Sequence, residues 1–270
     1  MEFGSLKDKV IVVTGGTGIL GESFVNCIHA MGGTVVIIGR NSEIANQRAE
    51  TINADGGNAL AVVADVMNME SLESAKRIIL EKYGHIDGLV NAAGGNMAGA
   101  VIEPEDNLFS LDLEAFSKVL NLNLLGTVQA TQVFGEEIAK AKSGSIVNIS
   151  SMTSQRAITK VMGYSIAKAA LDSYTKWFAV ELSNRYGDKV RMNAIAPGFF
   201  ITEQNRRLLT LPDQSYTERG KLVIKQTPFK RFGQPDELEG ALIWLLSDAS
   251  KFVTGTVINV DGGFAAFGGV

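Results

Sequence analysis

Apolar residues along the chain fall into two alternating kinds of run. Short β-branched stretches at 10–13, 34–38, 59–64, 88–91, 145–149, 190–195 and 256–260 are apolar at most positions, the pattern of a strand buried on both faces. Between them lie amphipathic stretches near 19–31, 42–54, 69–83, 112–140, 162–186 and 235–247. Their apolar residues recur at the spacing of one helix face, and polar starters such as Asn41 and Asp236 stand beside several of them. Strand then helix, repeated about six times, predicts an α/β fold built on a parallel sheet wound on both faces. The segment 199–229 breaks the rhythm, being polar and poor in strand character. Beside a binding crevice such an insert predicts a substrate lid, with a plain surface excursion as the alternative.

Composition sharpens the picture in a few places. No linker-like stretch interrupts the 270 residues, so one domain is expected over 6–270, while residues 1–5 (MEFGS) resemble a cloning remnant. Hydrophobic residues make up 46% and charged residues 20%, enough apolar material for a substantial core. A net charge of -4 without a basic stripe argues against nucleic-acid and anionic-membrane partners. No apolar stretch reaches the roughly 18–20 residues that a bilayer requires. Cys27 stands alone, which excludes an intramolecular disulfide or a cysteine-based metal set and suits a reducing cytoplasm. His29 and His85 lack ligand neighbours, so no metal is expected.

The first strand runs into Thr14-Gly15-Gly16-Thr17-Gly18-Ile19-Leu20-Gly21 and then a helix. Glycines at Gly15, Gly18 and Gly21 let the backbone turn tightly and approach a diphosphate, whose charge meets the positive end of the helix. Dinucleotide-binding loops place an acid about 20 residues on to hold the ribose diol. Here Gly39-Arg40-Asn41 stands at that point, and a guanidinium without a carboxylate favours a 2'-phosphate, hence NADP(H). NAD(H) stays open if Arg40 belongs to a solvated surface pair.

Tyr164 and Lys168 are four residues apart at the start of the 162–186 helix, which places them on one face one turn apart. The neighbouring cation is expected to lower the phenol pKa from its usual value near 10 toward the range of general acid/base work. Ser151 follows the 145–149 strand, at the sheet edge where ligands bind, and its hydroxyl suits a carbonyl oxygen.

Together with Asp65, Asn91-Ala92-Ala93-Gly94, Asn123 and Pro197-Gly198 with Thr202, these residues resemble the short-chain dehydrogenase/reductase family from about Leu6 to the end. The resemblance implies a single-domain, Rossmann-type, doubly wound parallel sheet of about seven strands. It implies that Tyr164 is the catalytic acid/base and that Ser151 polarises the substrate oxygen. Lys168 would hold the nicotinamide ribose and Asn123 would support a proton-relay water. Asp65, followed by Val66, would meet adenine, and Asn91 would brace the sheet centre. Thr17, Ile19, Ala92, Gly94 and Phe200 would complete the cofactor surface, with Pro197-Gly198 and Thr202 near the carboxamide and phosphates. Hydride would leave the pro-S face of the nicotinamide. One departure concerns phosphate contact: many members carry a glycine where Ile19 stands, and not at Gly18.

Within the family, the strings Asn91 to Asn96, Asn121 to Thr127, Pro197 to Arg206 and Asp261 to Phe267 most resemble the D-mannonate oxidoreductase (fructuronate reductase) group. That group implies interconversion of D-fructuronate and D-mannonate. A gluconate 5-dehydrogenase-like or 3-oxoacyl reductase-like enzyme, and a nucleotide-sensing protein without chemistry, remain alternatives. A sugar acid needs a cation for its carboxylate and paired groups for its hydroxyls. Asn96, Ser151, Arg156, Lys160, Gln204, Asn205 and Arg206 are the candidates, so the expected partner is a small anionic or polar carbonyl or alcohol. The apolar faces of the 112–140 and 162–186 helices and the tail from Phe264 add surface for a homotetramer, the common state in the family.

Overall fold

The computed structural model describes residues 4–202 and 205–269. Seven strands, β1 Val10–Thr14, β2 Thr34–Gly39, β3 Ala59–Val63, β4 Gly88–Asn91, β5 Gly144–Ile149, β6 Val190–Pro197 and β7 Val257–Val260, form one parallel sheet in the order β3-β2-β1-β4-β5-β6-β7. Register is tight at the centre, where Val12 lies opposite both Val36 and Leu89. Chain order reverses between β1 and β4, and in such sheets the crevice at the reversal is where ligands bind.

Among the described residues ten α-helical segments surround the sheet: α1 Ile19–Ala30, α2 Ser42–Ala54, α3 Met69–Tyr83, α4 Leu113–Leu120, α5 Gly126–Ala130, α6 Glu136–Ala141, α7 Met162–Tyr186, α8 Arg206–Leu209, α9 Glu218–Gln226 and α10 Glu239–Leu246. Successive strand residues feed opposite faces, as the pleat requires. Ile11 and Val13 pack with Phe24 and Ile28 of α1, Ile52 of α2 and Leu242 of α10. Val10 and Val12 pack with Leu72 and Ile79 of α3, Ile138 of α6 and Leu182 of α7. Full burial of each such side chain contributes about 1.5–3 kcal/mol. Cys27 is buried in the first of these cores, and burial pushes its thiol up to about 12, which makes it a packed, unreactive group.

The helix expected over 112–140 is present but not uniform. Between α4 and α5 lies a π-helical turn, Asn121–Leu125, and between α5 and α6 a second, Thr131–Gly135. At the first, Asn123 Nδ2 donates to the Val119 carbonyl at 2.8 Å, the acceptor that its own backbone N–H would use in an α-helix. A side chain that takes an i−4 carbonyl widens the turn. The segment 199–229 contains two short helices, α8 and α9, and α9 is amphipathic enough to bury Val223 against Leu209 and Phe232.

A file of buried amides and hydroxyls crosses the sheet. Asn91 on β4 donates to Thr131 Oγ1 at 3.0 Å and to Asn148 Oδ1 on β5 at 2.9 Å, and Asn148 donates to Thr175 Oγ1 on α7 at 2.9 Å. Buried polar groups require such partners. The chain of bonds ties β4, β5 and α7, the three elements that carry the crevice side chains, into one frame.

Candidate active site

The loop after β1 is set by close backbone approach. Gly15 has φ +67°, and a Cβ on it would lie 2.7 Å from the Ala92 carbonyl carbon on the far side of the crevice. Gly18 caps α1 without any side-chain acceptor, so the first N–H groups of the helix keep their positive end directed at the loop. These are the features of a diphosphate cradle.

An element that the sequence reading missed braces this loop. Arg48, from α2, donates to the Gly16 carbonyl at 2.5 Å and the Gly18 carbonyl at 2.9 Å, and pairs with Glu22 at 2.8 Å. Nothing local to Arg48 signals this role, because it depends on how α2 docks against the loop. Replacing Arg48 by Met is expected to raise KM for the dinucleotide about tenfold, the loss of one or two charge-assisted hydrogen bonds, with kcat held within about twofold. Steady-state kinetics with varied cofactor will check this, and an unchanged KM contradicts it.

At the end of β2, Arg40 is exposed and Asn41 is spent as the N-cap of α2, accepting from Ile44 N at 3.1 Å. A Cβ on Gly39 would come 2.6 Å from Thr17 Oγ1, so there is no room for a side chain while Thr17 stays in place. Beyond β3, Asp65 accepts from Met67 N at 2.9 Å and Val66 is buried against Gly126.

The proton-transfer candidates converge on the other side of the crevice. Lys168 is 4% exposed, and its Nζ donates to the Ile149 carbonyl at 2.7 Å and lies 5.4 Å from the centre of the Tyr164 ring. Ser151 is buried, extended in backbone, and accepts from Thr153 N at 3.2 Å, while its hydroxyl is close enough to the Tyr164 phenol to favour the phenolate. Asn123 is fully buried and clamps Gly95, accepting from its N–H at 3.0 Å and donating to its carbonyl at 2.6 Å. A Cβ on Gly94 would lie 2.7 Å from Asn123 Oδ1 and 3.4 Å from Lys168 Nζ. Tyr164, Lys168, Ser151, Asn123 and Gly94 therefore share one small volume.

The protonation pattern differs from the expectation that Lys168 brings the Tyr164 phenol down. Tyr164 keeps some surface open to the crevice, yet burial of its hydroxyl pushes the pKa up to about 12, against a smaller lowering by Ser151. Burial lowers Lys168 to about 8, opposed by Asp172. Desolvation dominates both groups because the ammonium bonds the Ile149 carbonyl and not the phenol oxygen.

The other expected residues scatter. Gly198 packs against Asp261 and holds β6 to β7 through its N–H to the Val260 carbonyl at 2.9 Å. Phe200 turns its ring into the core beside Gly233. Thr202 donates its N–H to Asn205 Oδ1 at 2.8 Å, and Asn205 donates to the Phe200 carbonyl at 2.7 Å, so this amide is used within its own loop. Arg156 donates to the Phe267 carbonyl of the C-terminal tail. Arg206 is exposed at the start of α8, and Gln204 lies outside the described residues. Asn96 and Thr153 each keep a buried side-chain oxygen without a hydrogen-bond partner. Among the described residues no group of three or more His, Cys, Asp or Glu is placed to hold a metal ion.

Known proteins resemble this chain in sequence and fold over nearly all of its length. A family profile described as enoyl-(acyl carrier protein) reductase matches residues 17–265. An uncharacterised oxidoreductase, UxuB, of Bacillus subtilis (strain 168) is 42% identical over 275 residues, covering 98% of each chain. A crystal structure from Haemophilus influenza, provisionally assigned as a D-mannonate oxidoreductase and holding NAD, superposes with TM-score 0.91 at 37% identity over 98% of both chains. A gluconate 5-dehydrogenase from Burkholderia cenocepacia J2315, in complex with NADP and tartrate, superposes with TM-score 0.87 at 30% identity over 97% of both. With a glycine cradle at the sheet's reversal point and a phenol, an ammonium and a hydroxyl facing it, the chain belongs to the short-chain dehydrogenase/reductase family and is an NAD(P)-dependent oxidoreductase acting on alcohol and ketone groups.

Proposed function

We propose that the protein interconverts a sugar-acid ketone and its alcohol, and that D-fructuronate and D-mannonate are the pair it takes. The observation that carries a polyhydroxy substrate is that, of the five buried side-chain oxygens without a partner among the described residues, Asn96 Oδ1 and Thr153 Oγ1 stand in the loops next to Ser151 and Asn123, whereas Asn91 Oδ1, Gln129 Oε1 and the Tyr174 hydroxyl belong to the sheet and helices. Leaving such a group unpaired costs about 1–3 kcal/mol, and substrate hydroxyls would relieve both. Thr153 is bonded through its N–H to Ser151, and Asn96 follows the Gly94-Gly95 stretch that Asn123 clamps, so both flank the proposed reacting centre. Two cations lie on or against the loop between Ser151 and Tyr164 and would serve a carboxylate: Lys160, which pairs with Glu103 and would have to exchange it, and Arg219 of α9, which donates to the Thr159 carbonyl at 3.2 Å. The Arg219 contact joins the 199–229 segment to the Ser151–Tyr164 loop, as a lid over the substrate would be joined. The likeness to the Haemophilus structure supports the same substrate, and that to the gluconate 5-dehydrogenase supports its chemical class.

The Gly15–Gly21 loop with the α1 N-terminus would hold the diphosphate, and Lys168 the nicotinamide ribose. When bound, the nicotinamide supplies a hydride to the carbonyl carbon. Ser151 Oγ–H bonds the carbonyl oxygen and stabilises charge as it builds there. The Tyr164 hydroxyl gives its proton to that oxygen, and the Lys168 ammonium favours the phenolate left behind. Oxidation of the alcohol reverses each transfer. Gly39 and Arg40 favour NADP(H), because Thr17 excludes a ribose-binding acid at position 39 and Arg40 offers a cation for a 2'-phosphate.

Absorbance at 340 nm with D-fructuronate, 5-keto-D-gluconate and acetoacetyl-CoA, each with NADH and NADPH, tests this reading. Expected is a kcat/KM for D-fructuronate about tenfold or more above the other ketones. NADPH is expected to exceed NADH by a similar factor. Turnover of acetoacetyl-CoA with none of either sugar acid would sink the substrate assignment, and a preference for NADH the cofactor assignment.

A further inference from the structure

Among the described residues three charged side chains are buried: Lys168, Asp172 and Arg191. Lys168 belongs to the crevice, and Arg191 is engaged with Ser250 Oγ at 2.9 Å and the Ser247 carbonyl at 3.1 Å. Asp172 has no part in the chemistry derived above, yet it is 8% exposed. A carboxylate so placed is costly unless hydrogen-bonded or paired.

Its partners are specific. Asp172 Oδ1 accepts from the Ser150 hydroxyl, and Oδ2 accepts from the Ser154 hydroxyl at 2.5 Å. Ser150 and Ser154 bracket Ser151 and the 3-10 turn Met152–Ser154 that Ser151 opens. One carboxylate thus grips the Ser151 turn at both ends. The Ser151 carbonyl lies 2.8 Å from the same Ser154 oxygen, an alternative acceptor for its one proton within the turn. Along α7, Tyr164, Lys168 and Asp172 follow at intervals of four, so they lie on one face a turn apart. Asp172 is thereby one turn from Lys168 and two turns from Tyr164, on the face that carries both.

We propose that Asp172 is a positioning residue, which sets the Ser151 hydroxyl in the crevice by gripping its turn and stands as the counter-charge one turn along α7 from Lys168. This rests on the reading of Tyr164, Ser151 and Lys168 as the proton-transfer set. The groups facing Lys168 bear out how directly Asp172 acts. The β5 edge presents the Ile149 carbonyl, the β4 loop Gly94 and the π-helical turn Asn123, none of which ionises. Tyr164 and Asp172 are the ionisable neighbours from its own helix. Tyr164 holds its proton to about 12, so Asp172 supplies the charge that opposes the burial of Lys168.

In ketone reduction the active enzyme carries Lys168 as ammonium, and kcat/KM is expected to fall as pH rises through the Lys168 value of about 8. Asp172→Asn keeps the shape of the side chain and removes its charge. Loss of that charge moves the alkaline limb to lower pH, by about one unit. Because Asn offers one acceptor oxygen in place of two, kcat at pH 7 is expected to drop about tenfold, with dinucleotide affinity within about twofold. Asp172→Glu, with charge restored, is expected to return the limb toward its wild-type position. Wild-type kcat together with an unmoved limb in Asp172→Asn overturns the proposal.

Ser154→Ala provides a second route if Asp172→Asn does not fold. It removes one grip on the turn and leaves the charge, so kcat is expected to fall about threefold with the limb unmoved. Unchanged kcat there overturns the positioning role. Tyr164→Phe run beside these variants separates the two readings: if it retains turnover, the proton-transfer set is wrong. If it is inactive while Asp172→Asn behaves as wild type, only the role of Asp172 fails.

Discussion

Tyr164→Phe is expected to lower kcat by about 10³-fold or more while changing the dinucleotide Kd by less than about twofold. The change deletes one oxygen. The ring remains, and with it the packing beside Lys168, whose Nζ sits 5.4 Å from the ring centre and is held independently by the Ile149 carbonyl. What is lost is the proton that must reach the substrate oxygen as hydride reaches carbon. No neighbour replaces it: Ser151 is an alcohol of far higher pKa, and Lys168 is directed at Ile149. Tyr164 suits the donor role because burial holds its pKa up at about 12, so it carries its proton across the whole neutral range. The reverse reaction asks more of it, since alcohol oxidation requires the phenolate. The phenol pKa would fall if an oxidised dinucleotide, with its positive nicotinamide ring, were held by the residues beside Tyr164, and the phenolate would then be reached in the complex at lower pH than in the free enzyme. Single-turnover absorbance and a fluorescence titration with NADPH measure the two quantities separately. Near wild-type kcat in Tyr164→Phe would remove the phenol from the mechanism.

The separation between what sequence shows and what it hides follows the range of the interaction involved. The seven strands were legible because a parallel sheet covered on both faces demands unbroken apolar runs; β4 coincides with its expected run and the other six strands differ from theirs by one or two end residues. Tyr164 and Lys168 were legible because helix periodicity is local, and Asp172 extends the same stripe by one more turn and was open to the same reasoning. The π-helical turn at Asn121–Leu125 was not, since it arises when a single amide captures the Val119 carbonyl, which composition and periodicity do not reveal. Arg48 and the loss of Arg156 to the Phe267 carbonyl depend on how distant segments dock, α2 against the glycine loop and the tail against the active-site loop. The phenol pKa departs from what spacing alone implies for a related reason. Spacing placed a cation near Tyr164, but burial and the Ile149 carbonyl decide what that cation does.

Gly21→Ala is expected to weaken dinucleotide binding about 100-fold, close to 2.8 kcal/mol at 1.4 kcal/mol per decade. Gly21 lies in the first turn of α1, with its Cα turned toward the returning loop. A methyl group there would fall on the Gly15 carbonyl oxygen and 2.8 Å from Gly16 Cα, both backbone atoms that no rotamer change can move aside. The loop must open, and in opening it carries Gly15 and Gly16 off the helix end whose N–H groups would meet the diphosphate. Arg48, bonded to the Gly16 and Gly18 carbonyls, resists that opening, so the strain is shared between affinity and stability. Gly18→Ala is the matched control. Its φ of -81° is open to any residue and its added carbon meets the Gly15 oxygen at 3.4 Å, so affinity is expected to stay within about threefold. The pair separates close backbone approach from glycine content as the source of affinity, by isothermal titration with NADPH and by the shift in Tm that NADPH produces. Equal, small losses in both variants would show that the loop is not the diphosphate cradle, because only one of the two methyl groups displaces the backbone that forms it.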